Sequence, residues 1–283
     1  MAHKIHVYPV ILSDYLKMNK IEKTFQELKQ KNQKALIAFI TAGDPDIGST
    51  VQYIHALEKG GADIIELGVP FSDPLADGPV IQKSALRALQ SGTTLKKIIH
   101  MVSMGRKTCS VPIILMSSYN PVFRYGEKAF VKDAVNAGVD GIIVPDLPPE
   151  EAAPLSKLSK NKGLDMIFLL APTSTEERIK IVSKLSGGFI YYVSLTGVTG
   201  TRKKLAKNLK TNISKIKLIS SKPIAIGFGI STPEQAAFSA GISDGAIVGS
   251  AIVKIIEKNS NSNEASKEIK QFINSMKEAI LNL

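Results

Sequence analysis

The chain has 283 residues, of which 44% are hydrophobic and 22% charged, a balance that suits one large globular domain or two smaller ones. No apolar run is long enough to cross a bilayer. The lysines behind the net charge of +11 are scattered over helical stretches, which argues against a nucleic-acid-binding protein. The single cysteine, Cys109, excludes an internal disulfide and fits a reducing cytoplasm.

Residues 1–18 are predicted to be an extension in front of a single domain, residues 19–283, in which no linker is evident. Pro9 and Ser13 interrupt the apolar patch of the extension and no small-residue cleavage site follows, so a secretory signal is not expected. Met18 is a candidate initiator, and function should not depend on the residues before it. The helical segment KIEKTFQELKQK comes next, and we expect it to cover the floor of the fold.

Eight short apolar runs follow in chain order. Most are apolar throughout rather than alternating, which is typical of parallel strands covered on both faces. The predicted strands are ALIAFIT from Ala35, DIIELGV from Asp63, VPIILMS from Val111, GIIVPDL from Gly141, DMIFLLA from Asp165, FIYYVSL from Phe189, PIAIGFG from Pro223 and GAIVGSA from Gly245.

Amphipathic helical stretches separate these runs, for example STVQYIHALEKG and EERIKIVSKLS. The segments GGADIIELG, AGVDGIIVPD and AGISDGAIVG also repeat one another, each leading from a glycine through an aspartate into a strand. Eight repeated strand–helix units predict an α/β fold of the (β/α)8 TIM-barrel type with an extra N-terminal helix. A doubly wound open sheet is the alternative, but ITAGDPD lacks the glycine-rich turn expected after its first strand.

Active sites of such barrels lie where the strands end, and several carboxylates fall there. Glu66 interrupts the apolar run of the second strand, and burying its charge is costly unless it has a partner or a task. An apolar pocket would raise its pKa into the range of a general acid or base. Asp77, in the loop that follows, is as consistent with a turn as with catalysis. Asp44, Asp46, Asp73 and Asp146 fit ordinary turns and caps.

Several classes of site are disfavoured by what the strand ends lack. No histidine or cysteine cluster is present, which argues against zinc, and no lysine lies in the second half of a strand, which argues against a Schiff-base aldolase.

The glycines of GFGIS and VGSA follow the last two strands, where many barrels bind phosphate. Gly229 and Gly249 would let backbone N–H groups reach the anion, and Ser250 would add a hydroxyl at a helix start. Tight turns are the alternative explanation of these glycines.

Five motifs taken together resemble the tryptophan synthase alpha chain family. They are IELGVPFSDPLADGP, AGVDGIIVPDLPPEE, GVTG, GFGIS and GSAIVKIIEKN, and the resemblance runs from about Ile21 to the C-terminus. It implies a (β/α)8 barrel that cleaves indole-3-glycerol phosphate to indole and glyceraldehyde 3-phosphate, in an α2β2 heterotetramer with a beta chain. No cofactor is expected in this chain, because the pyridoxal phosphate belongs to the beta chain.

The resemblance also implies roles for individual residues. Glu66 matches the acid–base residue and Asp77 the residue that interacts with the indole nitrogen. Phe39 and Tyr191 match positions that line the indole pocket, and Thr199 matches a loop residue that contacts the catalytic aspartate. The remaining matches are Gly200, Gly229, Gly249 and Ser250 at the phosphate and Pro70 and Asp73 at the beta-chain interface.

Two other functions compete with this one: an isomerase built on another phosphate-binding barrel, and a subunit that has lost catalysis and only activates its partner. The FSDPLADGP loop argues against the first, and the presence of both Glu66 and Asp77 argues against the second. Leu195 stands where some relatives carry arginine, which puts loop closure in question. We expect the loops at residues 73–77 and 197–201 to be mobile in the isolated chain.

Overall fold

The computed structural model describes residues 18–74, 77–194, 202–227, 229–259 and 262–283, with no side-chain description for residues 202–207. The predicted extension before Met18 lies outside this part of the chain. So do Leu195, Thr199 and Gly200, with the whole of the loop at residues 197–201.

The core is a single sheet of nine parallel strands in the order β5-β4-β3-β2-β1-β9-β8-β7-β6. Only Phe168 separates β5 from β6, so the two are halves of one barrel strand, and the sheet is a nearly closed eight-stranded barrel. The strands are β1 Ala35–Thr41, β2 Ile64–Gly68, β3 Ile113–Met116, β4 Gly141–Ile143, β5 Asp165–Ile167, β6 Leu169–Leu170, β7 Ile190–Val193, β8 Ile224–Gly227 and β9 Gly245–Val248.

Twelve helices lie in the described part of the chain, and most of them follow a strand and pack on the outside of the barrel. They are α1 Lys20–Gln30, α2 Ile47–Gly60, α3 Pro79–Gln90, α4 Leu95–Gly105, α5 Tyr119–Tyr125, α6 Glu127–Ala137, α7 Ala153–Lys162, α8 Glu176–Leu185, α9 Arg202–Ile219, α10 Pro233–Ile242, α11 Ser250–Lys258 and α12 Ser262–Leu281. None of these described helices is long and apolar enough to span a membrane.

Successive strand residues alternate between the barrel interior and the helix layer. On β2, Ile64 belongs to the interior cluster, whereas Ile65 and Leu67 pack in the outer cluster against the helices. Helix α1 closes the floor as predicted, because Ile21, Phe25 and Leu28 join the interior cluster. The end of the barrel that α1 does not cover is therefore the opposite one, where the strands end.

The three repeated segments correspond to a repeated contact at the floor, which we call the aspartate clasp. The carboxylate of Asp63 accepts the N–H of Leu36 at 2.7 Å, while the N–H of Asp63 donates to the Leu36 carbonyl at 2.9 Å. Asp140 forms the same pair with Ile113, and Asp244 with Ile224. Each clasp joins the start of one strand to the start of the next.

All eight predicted strands are confirmed; only the first keeps its predicted end, and two of the others end three or more residues sooner than predicted. GIIVPDL leaves the sheet after Ile143, where Pro145 has no N–H to donate, and GAIVGSA gives way to α11 at Ser250.

Candidate active site

Glu66 lies in the barrel interior near the carboxyl end of β2. Its position follows from the alternation along the strand, because it shares the inward face with Ile64. It pairs in register with Phe39 on β1 and Ile114 on β3. The strand therefore carries one acidic side chain into an otherwise apolar barrel.

The Glu66 carboxyl is fully buried, and neither of its oxygens has a hydrogen-bond partner among the described residues. Burial, assisted by the nearby charge of Asp77, raises its pKa to about 8. The side chain is therefore mostly protonated at neutral pH and able both to donate and to accept a proton. These are the properties of a general acid–base group.

Asp77 lies two residues before α3 and is partly buried. Its N–H donates to the Pro74 carbonyl at 3.2 Å, and its carbonyl accepts the Gln82 side-chain amide at 2.8 Å. Burial raises the pKa of its carboxyl. The charge of Asp77 acts on both Glu66 and Tyr191, so the structure brings the two predicted carboxylates into one site.

The two predicted aromatic residues, Phe39 and Tyr191, lie close to Glu66, since Phe39 is its register partner on β1 and Tyr191 is affected by its charge. A methyl group added at Gly68 would lie 2.6 Å from the Phe39 ring, and one added at Gly249 would lie 3.2 Å from it. The Tyr191 hydroxyl sits over Gly227, where an added methyl group would be 2.5 Å away. Burial and the charges of Glu66 and Asp77 hold the pKa of Tyr191 well above its usual value. Small residues on neighbouring strands thus make room for two rings.

The turns after β8 and β9 follow parallel strands and so lie at the same end of the barrel as Glu66. Gly229 has a left-handed backbone with φ +74°. Gly249 is the N-cap residue of α11, so no side chain caps the first N–H groups of that helix. Ser250 is the first residue of α11. The positive end of α11 lies beside the Phe39 ring through Gly249, which is a suitable place for an anion.

The other predicted site residues lie in less informative places. Asp73 is exposed, whereas Pro70, predicted at the partner interface, is buried within the chain itself. Asp46 caps α2 through the Ser49 N–H at 2.8 Å. Asp146 accepts the Tyr119 N–H at 2.9 Å and so caps the start of α5, a role that the sequence allowed.

Sequence reasoning missed a second buried carboxylate, which lies in the loop after β1. Asp44 is fully buried and receives two hydrogen bonds from Arg87, at 2.7 and 2.8 Å. Burial raises the pKa of Asp44, and the Arg87 guanidinium opposes that rise. The pair was not visible in the sequence because the residues are 43 positions apart and Asp44 stands in an ordinary DP turn.

Two further features bear on the chemistry. Within the described residues, no group of three or more histidine, cysteine or acidic side chains could hold a metal ion. A cleft of about 510 Å³ opens between α1 and α12 at the barrel floor, bordered by Lys20, Lys31 and Lys277. Because it lies at the end opposite Glu66, it is not the pocket of the candidate active site.

Comparison with known proteins identifies the family. The model of the tryptophan synthase alpha chain family matches residues 25–281. The alpha chain of Geobacter sulfurreducens is 51% identical over 265 residues, which cover 94% of this chain and 100% of that one. The alpha chain of Geotalea uraniireducens is 54% identical and covers 85% and 90% of the two chains.

A solved structure agrees with the sequence relatives. The crystal structure of tryptophan synthase subunit alpha from Legionella pneumophila superposes with a TM-score of 0.86 at 41% identity, covering 94% of this chain and 100% of that chain. The protein therefore belongs to the tryptophan synthase alpha chain family, the carbon–carbon lyases that cleave indole-3-glycerol phosphate to indole and glyceraldehyde 3-phosphate.

Proposed function

We propose that Glu66 is the proton carrier of this lyase reaction and that Asp77 stabilises the charge that develops on the indole ring. One observation carries the proposal: Glu66 is a fully buried carboxyl without a hydrogen-bond partner among the described residues, at the end of the barrel where the strands finish. A group in that state is able to exchange protons with a substrate that fills the pocket.

Cleavage requires one proton to be gained and one to be lost. Protonation of the indole ring at C3 forms an indolenine, which accepts the electron pair when the bond to the side chain breaks. The hydroxyl on the departing carbon loses its proton and becomes the aldehyde of glyceraldehyde 3-phosphate. Glu66, with a pKa of about 8, begins protonated, donates to C3 and then accepts the hydroxyl proton. It returns to its starting state, so no outside acid or base is needed.

Asp77 has a different task in this scheme. Protonation at C3 places positive charge on the ring nitrogen, and a carboxylate near that nitrogen stabilises the charge as it develops. The side chain must be ionised to do so, whereas Glu66 must be protonated. Glu66 is the more deeply buried of the two carboxyls, and this difference in burial is what keeps Glu66 protonated while Asp77 is ionised.

The substrate would lie with its indole between Phe39 and Tyr191. Its phosphate would extend to the turns at Gly229 and Gly249, where the Ser250 hydroxyl and the first N–H groups of α11 are available. Thr199 and Gly200, which lie outside the described residues, complete the proposed site on the basis of the family resemblance alone.

Members of this family act together with a beta chain. We place the contact on the mouth of the barrel, with exposed Asp73 at the interface and Pro70 supporting the loop from within. The chain itself needs no cofactor in this proposal, since pyridoxal phosphate serves the beta chain. We further assign the protein to the cytoplasm, residues 19–283 to a single barrel domain and residues 1–18 to an extension without a part in the reaction.

The test is indole release from indole-3-glycerol phosphate by the wild-type chain and Glu66→Gln, each with and without the beta chain. Glutamine keeps the shape of the side chain but carries no exchangeable acid proton. We expect turnover to fall by roughly 10²–10⁴-fold, the usual contribution of a general acid–base group.

The matched control is Asp165→Asn, which makes the same kind of change in a carboxyl at the barrel floor. It should keep wild-type turnover. If Glu66→Gln released indole as fast as this control, Glu66 would not be the proton carrier.

A further inference from the structure

A polar seam joins helix α3 to the last residue of β1 and the loop that follows it. The Ser84 hydroxyl lies 2.6 Å from the Thr41 hydroxyl, and the Ser91 hydroxyl donates to the Gly43 carbonyl at 3.2 Å. Between these contacts, Arg87 holds Asp44 through two parallel hydrogen bonds. Because the three α3-side residues are three and four positions apart, they lie on one face of the helix.

Arg87 is the strongest contact of the seam. Its planar guanidinium grips the fully buried Asp44 carboxylate, a geometry that lysine cannot reproduce. Its remaining nitrogen lies 3.3 Å from Glu257 on α11. One side chain therefore connects the loop after β1, helix α3 and helix α11.

Helix α3 directly follows the loop that carries Asp77 and anchors its end. The helix begins at Pro79, and Gln82 in its first turn holds the Asp77 carbonyl at 2.8 Å. A shift of α3 along or away from the barrel would therefore move Asp77 relative to Glu66, which is fixed in β2. Misplacement of a reacting group by about 1 Å can cost on the order of 100-fold in rate.

We propose that Arg87 is a positioning residue of the lyase reaction: its two-pronged contact with Asp44 fixes α3 and thereby keeps Asp77 close to Glu66. The inference rests on the roles proposed for Glu66 and Asp77. It assigns to Arg87 a part in the chemistry that goes beyond holding the fold together, although Arg87 itself does not touch the reacting atoms.

The experiment compares Arg87→Lys with Arg106→Lys in the full chain, alone and with the beta chain. Lysine preserves the positive charge at both positions but makes only a point contact. Arg106 is the matched control because it too binds an aspartate carboxylate, that of partly buried Asp140, but at the opposite end of the barrel. Both variants should unfold at lower urea concentration than the wild type.

Only Arg87→Lys should change the reaction. We expect its kcat to fall about tenfold with little change in KM. A displaced Asp77 stabilises the transition state less well but hardly affects substrate binding. The alkaline limb of its kcat/KM profile should also move to lower pH. The Asp77 charge helps to raise the pKa of Glu66. When α3 is released, Asp77 moves away from Glu66, and the pKa of Glu66 therefore falls.

A second pair of variants, with milder substitutions, tests the inference if Arg87→Lys does not fold. Ser84→Ala removes the Thr41 contact of the seam, and Ser183→Ala removes a comparable hydroxyl pair with Ser220, 2.7 Å apart, beside α8. Ser84→Ala should lower kcat about two- to fivefold, a fraction of the effect of a misplaced group, and Ser183→Ala should not.

Two results would overturn the inference, and Asp77→Asn in the same assay separates them. If Asp77→Asn loses turnover while Arg87→Lys and Ser84→Ala keep the wild-type kcat and pH profile, Arg87 is structural only and the proposed function stands. If Asp77→Asn keeps the wild-type turnover, the proposed role of Asp77 fails and the positioning role of Arg87 fails with it.

Discussion

Two buried carboxyl groups, Glu66 at the mouth of the barrel and Asp165 at its floor, have nearly the same electrostatic character. Each has an oxygen without a hydrogen-bond partner among the described residues. Burial raises the pKa of Glu66 to about 8 and that of Asp165 to about 7. A search for perturbed carboxyls alone would select both as catalytic groups.

Their surroundings separate them. Glu66 points into the barrel interior near the end where the strands finish, with Phe39 beside it on β1 and Tyr191 close enough to be affected by its charge. Asp165 lies beneath α1, against Gly187 and Gly188, where a methyl group added at Gly187 would collide with its carboxylate. This is the floor of the barrel, opposite the strand ends where barrel active sites form. A raised pKa therefore reports burial, and only the position in the fold indicates whether burial serves catalysis.

The largest expected difference between the two ends concerns turnover. Asp77→Asn at the mouth should lower kcat by roughly 10²–10³-fold, the usual loss when one stabilising group is removed from a developing charge. KM should change little. Asp165→Asn should leave both constants unchanged. Steady-state kinetics of the two variants with the beta chain present would check this, and a loss of turnover in Asp165→Asn would contradict the comparison.

The pH dependence of the reaction should report Glu66 and not Asp165. Because Glu66 must begin protonated, kcat/KM should fall tenfold per pH unit above about pH 8. It should also fall at low pH, where Asp77 loses its charge. The pH profile of Asp165→Asn should overlay that of the wild type. A shift of the alkaline limb in that variant would mean that the floor takes part in the chemistry.

Stability should depend on Asp165 in a predictable window of pH. The unfolded chain releases this proton near pH 3.8, whereas the folded chain keeps it until about pH 7. The folded state is therefore destabilised progressively as the pH rises between these values, by roughly 1.4 kcal/mol per pH unit at most. Asp165→Asn should match the wild type in urea unfolding at pH 4 and exceed it at pH 8. An equal gain at both pH values would show that ionisation is not the cause.

The smallest effect concerns Lys222, whose charge lowers the pKa of Asp165 and which pairs with Glu22 at 3.1 Å. Lys222→Met should destabilise the protein at pH 8 by about 0.5–1 kcal/mol, as expected for a partly exposed ion pair. The loss should shrink at pH 4, where Asp165 is protonated. Turnover should not change. Unfolding curves at the two pH values measure the difference.

The fold was predictable because parallel barrel strands are buried on both faces and therefore read as continuous apolar runs. Glu66 stood out for the same reason, since a charge inside such a run is costly. The sequence did not reveal the interruption at Phe168, because its neighbours are as apolar as those of an unbroken strand. It also gave no sign that Pro70 is buried, since a proline after a strand fits a surface loop equally well.

The features that sequence reasoning missed depend on contacts between distant residues. Arg87 is one of many basic side chains on helical faces, and nothing nearby in sequence marks it as the partner of Asp44. The sequence marks Asp165 only as the start of a strand, because the charged neighbours that shift its pKa, Glu22, Lys222 and Asp140, lie far away along the chain. Pairing across the fold is not encoded in local pattern or composition.

The aspartate clasps bear on the order in which the barrel assembles. Each clasp joins residues only 20 to 27 positions apart, so closing it costs little chain entropy compared with joining the first strand to the last. Contacts of such short range form early in folding. We expect pairs of neighbouring strands to form first as small closed units, and the amides of Leu36, Ile113 and Ile224 to gain protection from hydrogen exchange before the sheet becomes a ring.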